Sequence, residues 1–340
     1  MFTNRFAAVL VGSALVLAAC GDDDSDSADK TAAETTAPAT GADTTAAETA
    51  AVETTAVETT AVATTAVETT VAPADDPADV PDAIISLSPT ATEMLYAIGA
   101  GDQVLAVDDF SNYPPEATEK MQGLSGFEPN VEAIAGLDPD LVVTDGTRPD
   151  FLEQLDTLQI AHWEGPAAAD FDDVYAQIEQ LGAATGHVAE AAELVASMQV
   201  DVKAVEGDVP ALDPPLTYYH ELDPSLFSAT SASFIGAVYA KLGLANIADA
   251  VGDGNPFPQL NAEFVIEQNP DLIFLADTKC CGESAETVAE RPGWGTLDAV
   301  ANGSVVEMDD DIASRWGPRI VDYLEQAAEA VIAVAPVEAG

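Results

Sequence analysis

One pattern occurs twice in the chain and constrains the fold more than any other feature of the sequence. The two copies read NVEAIAGLDPDLVVTDG at 130–146 and NAEFVIEQNPDLIFLADTK at 261–279. Each copy opens with an Asn that can cap the free N–H groups of a following segment with helical spacing. An Asx-Pro-Asp turn and a wholly apolar run come next, which is typical of a strand buried in a parallel sheet. The repeat therefore predicts two similar α/β lobes.

Short apolar runs alternate with segments of helical spacing on both sides of the repeat, which favours an α/β fold with parallel central sheets. A long segment without Pro, 187–205, is predicted to form one stiff helix of about 30 Å that crosses between the lobes. Gly182 and Gly186 are expected to break the chain before it. Further strands are predicted at 84–87, 104–107, 159–162, 216–220 and 304–308, and helices at 93–98, 149–158, 170–181, 233–242 and from near Pro318.

The part of the chain before residue 81 has a different composition. Arg5 precedes an apolar run at 6–17, which is typical of an export signal and too short for a spanning helix. Residues 21–80 repeat Thr, Ala and Glu without an apolar face, which predicts a disordered tether. The predicted segments are a signal peptide 1–20, the tether 21–80, an N-terminal lobe 81–185, a connecting helix 186–208 and a C-terminal lobe 209–340.

The segment LAAC at 17–20, followed by Gly21, resembles the lipobox of bacterial lipoproteins. The resemblance implies cleavage before Cys20 and attachment of a diacylglyceryl group to its thiol. The alternative is an ordinary export signal with an incidental cysteine. The first interpretation predicts an extracytoplasmic protein, anchored by its lipid to the outer face of the cell membrane.

The charge of the chain excludes one class of partner. Sixty acidic residues against ten basic ones give a formal net charge of −50. Such a chain is repelled by the phosphates of nucleic acids and by anionic lipid headgroups. The acidity itself indicates a solvated surface and says little about chemistry.

Aromatic and charged residues collect in the loops that follow the predicted strands, where open parallel sheets bind their ligands. Taken one by one, these residues are ordinary packing residues; taken together, they predict a cleft for a large planar or hydrophobic small molecule. Asp311 and Arg315, four residues apart, form either a weak surface pair or an arginine fork for an anion. The loop residues are Phe110, Tyr113, Phe127, Asp145, Arg148, Trp163, His220, Phe227, Phe257, Asp311, Arg315 and Trp316.

Cys280 and Cys281 are adjacent, just after the apolar run of the second copy. Export favours oxidation, so a vicinal disulfide at the rim of the cleft is the leading interpretation, although neighbouring residues are closer than disulfides prefer. Two free thiols or a bridge between two copies of the chain are the alternatives. No His or further Cys has the spacing of zinc ligands, so no metal site is expected.

Sequence motifs of the common catalytic sites are missing from the chain. It contains no GxSxG, HExxH, phosphate loop or GxGxxG, and His162, His187 and His220 are scattered. This absence favours binding over catalysis.

Four segments resemble the ABC-transporter substrate-binding proteins for cobalamin, ferric siderophores or haem, also described as helical-backbone periplasmic-binding proteins. They are IISLSPTATEMLYAIGAGDQVLAVDDFSNYPPEA, NVEAIAGLDPDLVV, NAEFVIEQNPDLIFL and SRWGPRIVD. The resemblance covers the chain from about Asp82 to its end. It implies two Rossmann-like lobes joined by a single long α-helix, with the ligand held between them.

The resemblance also implies roles for particular residues. One acidic residue on each lobe, Glu132 and Glu263 here, would dock onto arginines of two permease subunits; complementing the helix dipole is the simpler alternative. Similarity to the cobalamin-binding branch is carried by Phe110, Phe257, Asp311 and Arg315, but Gly126 or Phe127 and Asp145 replace its other pocket tryptophans. The expected ligand-binding residues are Phe110, Phe127, Arg148, Phe257, Asp311, Arg315 and Trp316.

The function implied is capture of an iron chelate, siderophore or haem, or of a cobalamin-like corrinoid, for delivery to a permease dimer and its ATPase. The protein is expected to be a monomer with no enzymatic activity and no resident cofactor, the metal belonging to the transported ligand. The alternatives are an exported hydrolase or redox enzyme that uses the acidic cleft and the Cys-Cys loop, and a stalked adhesive wall protein.

Overall fold

The computed structural model describes residues 80–335, and the signal peptide, Cys20 and the tether up to residue 79 lie outside the described residues. The strands are β1 Ile84–Ser86, β2 Val104–Asp108, β3 Met121–Leu124, β4 Leu141–Thr144, β5 His162–Glu164, β6 Thr217–Glu221, β7 Ala245–Asn246, β8 Leu272–Leu275 and β9 Val305–Glu307. The α-helices are α1 Pro89–Ala97, α2 Val131–Ala135, α3 Pro149–Leu158, α4 Phe171–Thr185, α5 Val188–Asp208, α6 Phe234–Lys241, α7 Ala262–Gln268, α8 Thr278–Cys281, α9 Ala285–Glu290, α10 Asp298–Ala301, α11 Asp310–Ala313 and α12 Ile320–Val334.

The strands form two separate sheets, and all of the strand pairs in both sheets are parallel. The first sheet has the order β3-β2-β1-β4-β5, and the second has the order β7-β6-β8-β9. Strands β1, β4 and β8 are buried along their whole length, as uniformly apolar strands covered by helices on both faces must be. The predicted α/β class with two parallel-sheet lobes is confirmed.

The two copies of the repeat fold alike. The side-chain oxygen of Asn130 accepts a hydrogen bond from Ala133 N–H at 3.0 Å, and that of Asn261 accepts one from Phe264 N–H at 2.8 Å. After each capped helix, the Asp of the turn binds the segment that begins the neighbouring strand. Asp140 accepts from the N–H groups of residues 82 and 83, and Asp271 accepts from both the N–H and the hydroxyl of Thr217.

Helix α5 connects the part of the chain that forms the first sheet to the part that forms the second. Its 21 residues span about 32 Å at 1.5 Å per residue, in agreement with the predicted connector. It packs against α4 and α12. Their apolar side chains join one buried cluster that also contains Ile84 and Leu141 of the first lobe and Tyr218 and Phe274 of the second. The lobes therefore share a core and are not joined by a bare linker.

Three predicted boundaries were wrong. The predicted break at Gly182 is instead a place of close packing inside α4, because a Cβ there would lie 2.4 Å from the Cβ of Ala191; the helix ends at Gly186, whose φ is +79°. Helix α1 begins four residues earlier than predicted, because the side chain of Ser88 caps it. The fifth strand comes later than predicted, because Gln159 closes α3 in a left-handed conformation.

Within residues 80–335, the structure contains no helix that is both long enough and apolar enough to cross a membrane.

Candidate functional site

A cavity of about 310 Å³ opens where the carboxyl ends of the first sheet face the segment between α11 and α12. Loops after β1, β2, β3 and β4 form one wall, as expected for a ligand site of an open parallel sheet. The opposite wall comes from the end of the chain that follows the second sheet. The lining residues are Leu87, Ser88, Pro89, Thr90, Asp108, Phe110, Gly126, Phe127, Asp145, Asp311, Ser314, Arg315 and Trp316.

Aromatic rings form the apolar part of this cavity. Phe110 and Phe127 meet edge to face with their ring centroids 5.2 Å apart, and they are 51% and 63% exposed. Gly126 lets the loop after β3 approach the end of β1 closely, because a Cβ at that position would lie 2.3 Å from the carbonyl oxygen of Leu87. On the opposite wall, Trp316 Nε1 donates to the side chain of Gln177 at 3.3 Å. The walls thus present flat apolar faces held by specific contacts.

Arg315 is engaged with the protein itself through both of its Nη nitrogens. Its Nη1 donates to Glu93 Oε1 at 2.9 Å and to Asn112 Oδ1 at 2.8 Å. Its Nη2 donates to the carbonyl oxygen of Phe110 at 3.1 Å and to Asp311 Oδ1 at 2.8 Å. The pair predicted from the four-residue spacing therefore exists, but it is neither an isolated surface pair nor an open fork for an anion. It ties the end of the chain to the first lobe.

Glu93, on α1, is the centre of this inter-lobe cluster. It is only 3% exposed and also accepts from Arg319 Nε at 2.8 Å and from Arg319 Nη2 at 2.5 Å. The guanidinium of Arg319 in turn lies 4.1 Å above the ring of Tyr113. Neither Glu93 nor Arg319 was predicted from the sequence to be a functional residue. The signal that could have found Glu93 is its place as the only charged residue of a helix that is otherwise uncharged and largely apolar.

Three carboxylates line the cavity. Burial raises the pKa of Asp108, although Ser111 Oγ donates to it at 2.6 Å. Asp145 accepts from the N–H and the hydroxyl of Thr147, both at Oδ1. Burial alone would raise the pKa of Asp311, but hydrogen bonds from Lys279 and Asn112 and the charge of Arg315 hold it below its usual value. The polar part of the cavity is therefore predominantly anionic.

Two of the predicted ligand-binding residues do not line this cavity. Arg148 lies next to it, with Nε donating to the carbonyl oxygen of Gly126 at 3.4 Å. Phe257 is 46% exposed in a loop of the second lobe, where its N–H donates to Asn255 Oδ1 at 3.0 Å. The structure thus brings together Phe110, Phe127, Asp311, Arg315 and Trp316, and the binding roles of all seven residues remain predictions.

Glu132 and Glu263 occupy the same position on the two lobes. Each is exposed and is the second residue of its Asn-capped helix, α2 or α7. A carboxylate in the first turn of a helix is favourably placed relative to the helix dipole and remains accessible to a partner. The geometry suits both interpretations of these residues.

The structure joins Cys280 and Cys281 by a disulfide in the short helix α8. Asp310 of α11 holds this helix, because its carboxylate accepts from the N–H groups of Thr278, Lys279 and Cys280 at 2.8–2.9 Å. Lys279 Nζ also donates to Asp311 at 3.1 Å. The Cys-Cys turn is thereby connected to the wall of the cavity.

A second polar cluster lies buried at the carboxyl ends of β6 and β8. Glu221 accepts from Arg291 at 2.5 and 2.6 Å, and Arg291 also donates to Glu283 at 2.7 Å. Asp277 is fully buried beside them, and neither of its oxygens accepts a hydrogen bond from any residue the structure describes. Burial and the neighbouring Glu221 raise the pKa of Asp277 to about 7. One arginine thus faces three carboxyl groups.

Metal-ligating side chains are not grouped in the described part of the chain. No set of three or more His, Cys, Asp or Glu residues between 80 and 335 is arranged to hold a metal ion.

Comparison with known proteins agrees with this architecture. Residues 84–312 match the family described as "Periplasmic binding protein". The chain is 30% identical over 259 residues to the ABC transporter substrate-binding lipoprotein YvrC of Bacillus subtilis, covering 74% of this chain and 80% of that protein. It is 32% identical over 258 residues to a cobalamin-binding protein of Halobacterium salinarum, covering 74% and 69%.

A solved structure shows the same two-lobed arrangement. The periplasmic vitamin B12 binding protein BtuF of Vibrio cholerae superimposes with a TM-score of 0.62 and 26% identity, covering 74% of this chain and 97% of that one. Sequence match, relatives and fold agree over the same region. The chain belongs to the periplasmic binding protein family.

Proposed function

We propose that this protein is the substrate-binding component of an ABC importer and that it captures an iron chelate, siderophore or haem, or a cobalamin-like corrinoid. The observation that supports this most directly is the cavity walled by Phe110 and Phe127 of one lobe and by Trp316 at the far end of the chain. Flat apolar walls with a few fixed polar groups suit a large planar or chelated ligand. No catalytic step is part of the proposal.

The size of the cavity is consistent with partial enclosure of such a ligand. Its 310 Å³ lies near the lower end of the roughly 300–1,000 Å³ that ligand pockets occupy. Phe110 and Phe127, which line the cavity, are 51% and 63% exposed and so present apolar surface at its mouth. A corrinoid or siderophore would therefore rest on these faces with part of its surface in solvent.

Delivery to the membrane would use the two exposed glutamates. Glu132 and Glu263 are presented by equivalent helices of the two lobes, as a permease with two similar subunits would require. Opposite charges across such an interface speed encounter and fix orientation. The partners proposed are a permease dimer and its ATPase, with the binding protein acting as a monomer.

Attachment through a lipid on Cys20 would keep the protein at the outer face of the membrane. This part of the proposal is supported by the LAAC segment and by the relative YvrC, which is named a lipoprotein. Metabolic labelling with a radioactive or clickable fatty acid tests it. Label should enter the wild-type chain and be lost in Cys20→Ser.

Ligand capture is tested by titrating the mature chain with cobalamin, haem and a ferric trihydroxamate, followed by tryptophan fluorescence and calorimetry. Trp163 and Trp294 are buried in the lobes, so a cleft ligand should affect Trp316 most. In Trp316→Phe the fluorescence response should shrink by a larger share than the calorimetric heat. Absence of saturable binding for all three ligand classes would refute the proposed function.

A further inference from the structure

Acidic side chains outnumber basic ones among the residues that line the cavity. Asp108 and Asp145 belong to the first lobe and Asp311 to the opposite wall, while Arg315 is the one basic side chain among the lining residues in the described part of the chain. The formal charge of the whole chain, −50, adds a long-range field of the same sign. A ligand that enters the cleft is therefore exposed both to the nearby carboxylates and to the long-range negative field of the whole chain.

Arg315 offers few free donors to an anionic ligand. A guanidinium has five N–H donors, and the four on Nη1 and Nη2 are already used for Glu93, Asn112, the Phe110 carbonyl and Asp311. Its side chain is only 9% exposed. An anionic ligand could accept from Nη1 or Nη2 of Arg315 only by displacing one of these four acceptors.

Two other cations close to the lining residues, Lys279 and Arg148, are also paired or lie outside the lining. Lys279 Nζ pairs with Asp309 at 2.5 Å and with Asp311 at 3.1 Å. Arg148 donates from Nε to the carbonyl oxygen of Gly126 and does not line the cavity. By contrast, Thr147 binds only Oδ1 of Asp145, which leaves Oδ2 able to accept from a ligand.

We infer that the cleft selects chelates or corrinoids that are neutral or positively charged and discriminates against polyanionic ones. This inference rests on the proposed function and narrows it. A protonated amine on a ferric trihydroxamate, or the uncharged amide rim of a corrinoid, meets carboxylates that can accept hydrogen bonds. A ferric tricatecholate carries three negative charges, and the two carboxylates of haem likewise find no uncommitted cation among the residues that line the cavity.

The test compares ligands that differ in charge but keep the same scaffold. For a ferric trihydroxamate, the terminal amine is left free, acetylated or succinylated, giving a cationic, a neutral and an anionic form. For the corrinoid, the amide form is compared with its hydrolysed tricarboxylate, and for haem, the free acid with its dimethyl ester. Affinities of the mature chain are measured by calorimetry at low and at high salt.

For each scaffold that binds, the neutral or cationic form should bind at least about tenfold more tightly than the anionic form. Higher salt should reduce this difference in affinity. An anionic form that binds equally well or better would overturn the inference while leaving the proposed function intact. Absence of binding on every scaffold would refute the proposed function, and the inference with it.

Asp145→Asn gives a second test, with Glu329→Gln as a matched control that removes one charge from the exposed face of α12. Asp145→Asn should lower the ratio of cationic to anionic affinity on the same scaffold by about fivefold to tenfold. Glu329→Gln should leave that ratio unchanged, because its charge is remote and screened by solvent. Equal ratios in the two variants would overturn the role assigned to Asp145.

Discussion

Strands β4 and β8 are the same element of the two lobes, yet their two ends behave differently. At their amino ends, Asp140 and Asp271 make matching hydrogen bonds to the neighbouring strands. At their carboxyl ends, Asp145 lines the open cleft, whereas Asp277 is fully buried beside Glu221 and Arg291. The amino ends therefore make the same contacts in both lobes, whereas the carboxyl ends form part of a cavity wall in one lobe and a buried acidic cluster in the other.

The largest effect is expected at the equivalent glutamates of the two lobes that we propose as docking residues. Glu132→Arg combined with Glu263→Arg should abolish ligand uptake by cells, because both proposed docking carboxylates become cations. Affinity for the ligand should stay the same, since neither residue lines the cavity. Uptake of labelled ligand and calorimetry on the purified variant measure the two quantities.

The two single variants test whether both lobes contribute equally to docking. If the lobes dock equivalently, Glu132→Arg and Glu263→Arg should each reduce uptake to a similar extent. Unchanged uptake in the double variant, or a loss of affinity that accompanies the loss of uptake, would contradict the docking roles.

The next effect concerns the cluster that joins the lobes. Glu93→Ala should lower the free energy of unfolding by about 3–5 kcal/mol, because it leaves Arg315 and Arg319 partly buried without their shared carboxylate. Urea denaturation followed by circular dichroism measures the change. Glu329→Gln on the exposed face of α12 is the control and should change the free energy by less than about 0.5 kcal/mol.

A loss below about 1 kcal/mol in Glu93→Ala would show that the cluster is solvated in solution and does not clamp the lobes. Glu93→Gln, which keeps the shape and two polar atoms, should fall between the wild type and Glu93→Ala.

The buried acidic cluster of the second lobe should make stability depend on pH. The pKa of Asp277 is raised from its ordinary 3.8 to about 7, so between these values the native chain binds more protons than the unfolded chain. The contribution of this group to the free energy of unfolding is therefore present at low pH and lost as pH rises toward 7. Asp277→Asn, which stays neutral, should be more stable than the wild type at pH 8 by about 2 kcal/mol.

The control for this prediction is Asp201→Asn on the exposed side of α5, which makes the same change in net charge. Its pH profile, measured by urea denaturation from pH 5 to pH 8, should run parallel to that of the wild type. If Asp277→Asn also ran parallel to the wild type, the raised pKa of Asp277 would be refuted.

The smallest effect should again be equal in the two lobes. Asn130→Ala and Asn261→Ala each remove the acceptor for one N–H group in the first turn of an equivalent helix. Each should lower the free energy of unfolding by about 1 kcal/mol. Glycine at either position should cost less than alanine, because a glycine leaves the first turn open to water. A loss of stability in only one of the two alanine variants would show that the two caps are not equivalent.

Sequence patterns predicted the frame because its causes are local. The caps, turns and apolar runs of both copies lie within about twenty residues, and β4, β8 and α5 formed where expected. The strand-end rule also placed Phe110, Phe127 and Trp316 near one cavity. By contrast, Glu93 meets Arg315 across 222 residues of sequence, and Asp277 meets Glu221 through the pairing of β6 with β8. Such pairs depend on tertiary packing and leave no periodic signal.

The close packing of α4 against α5 at Gly182 could not be predicted from the local sequence either. In sequence, a glycine near the end of a helix predicts a stop. In the structure it lets α4 and α5 pack closely, with Ala191 in the space that a side chain would fill. The sequence around Gly182 cannot distinguish a helix end from a close helix contact, because the contact depends on Ala191 of the neighbouring helix.

The core that runs from one lobe to the other limits how ligand can enter. Swinging the lobes widely apart would bring the apolar surface among α4, α5 and α12 into water, at a cost of about 25 cal/mol for each Å² exposed. A large hinge motion is therefore unfavourable. Loading should be governed by diffusion into a mouth that stays open, and the on-rate should vary with ligand charge and ionic strength more than with any slow rearrangement of the protein.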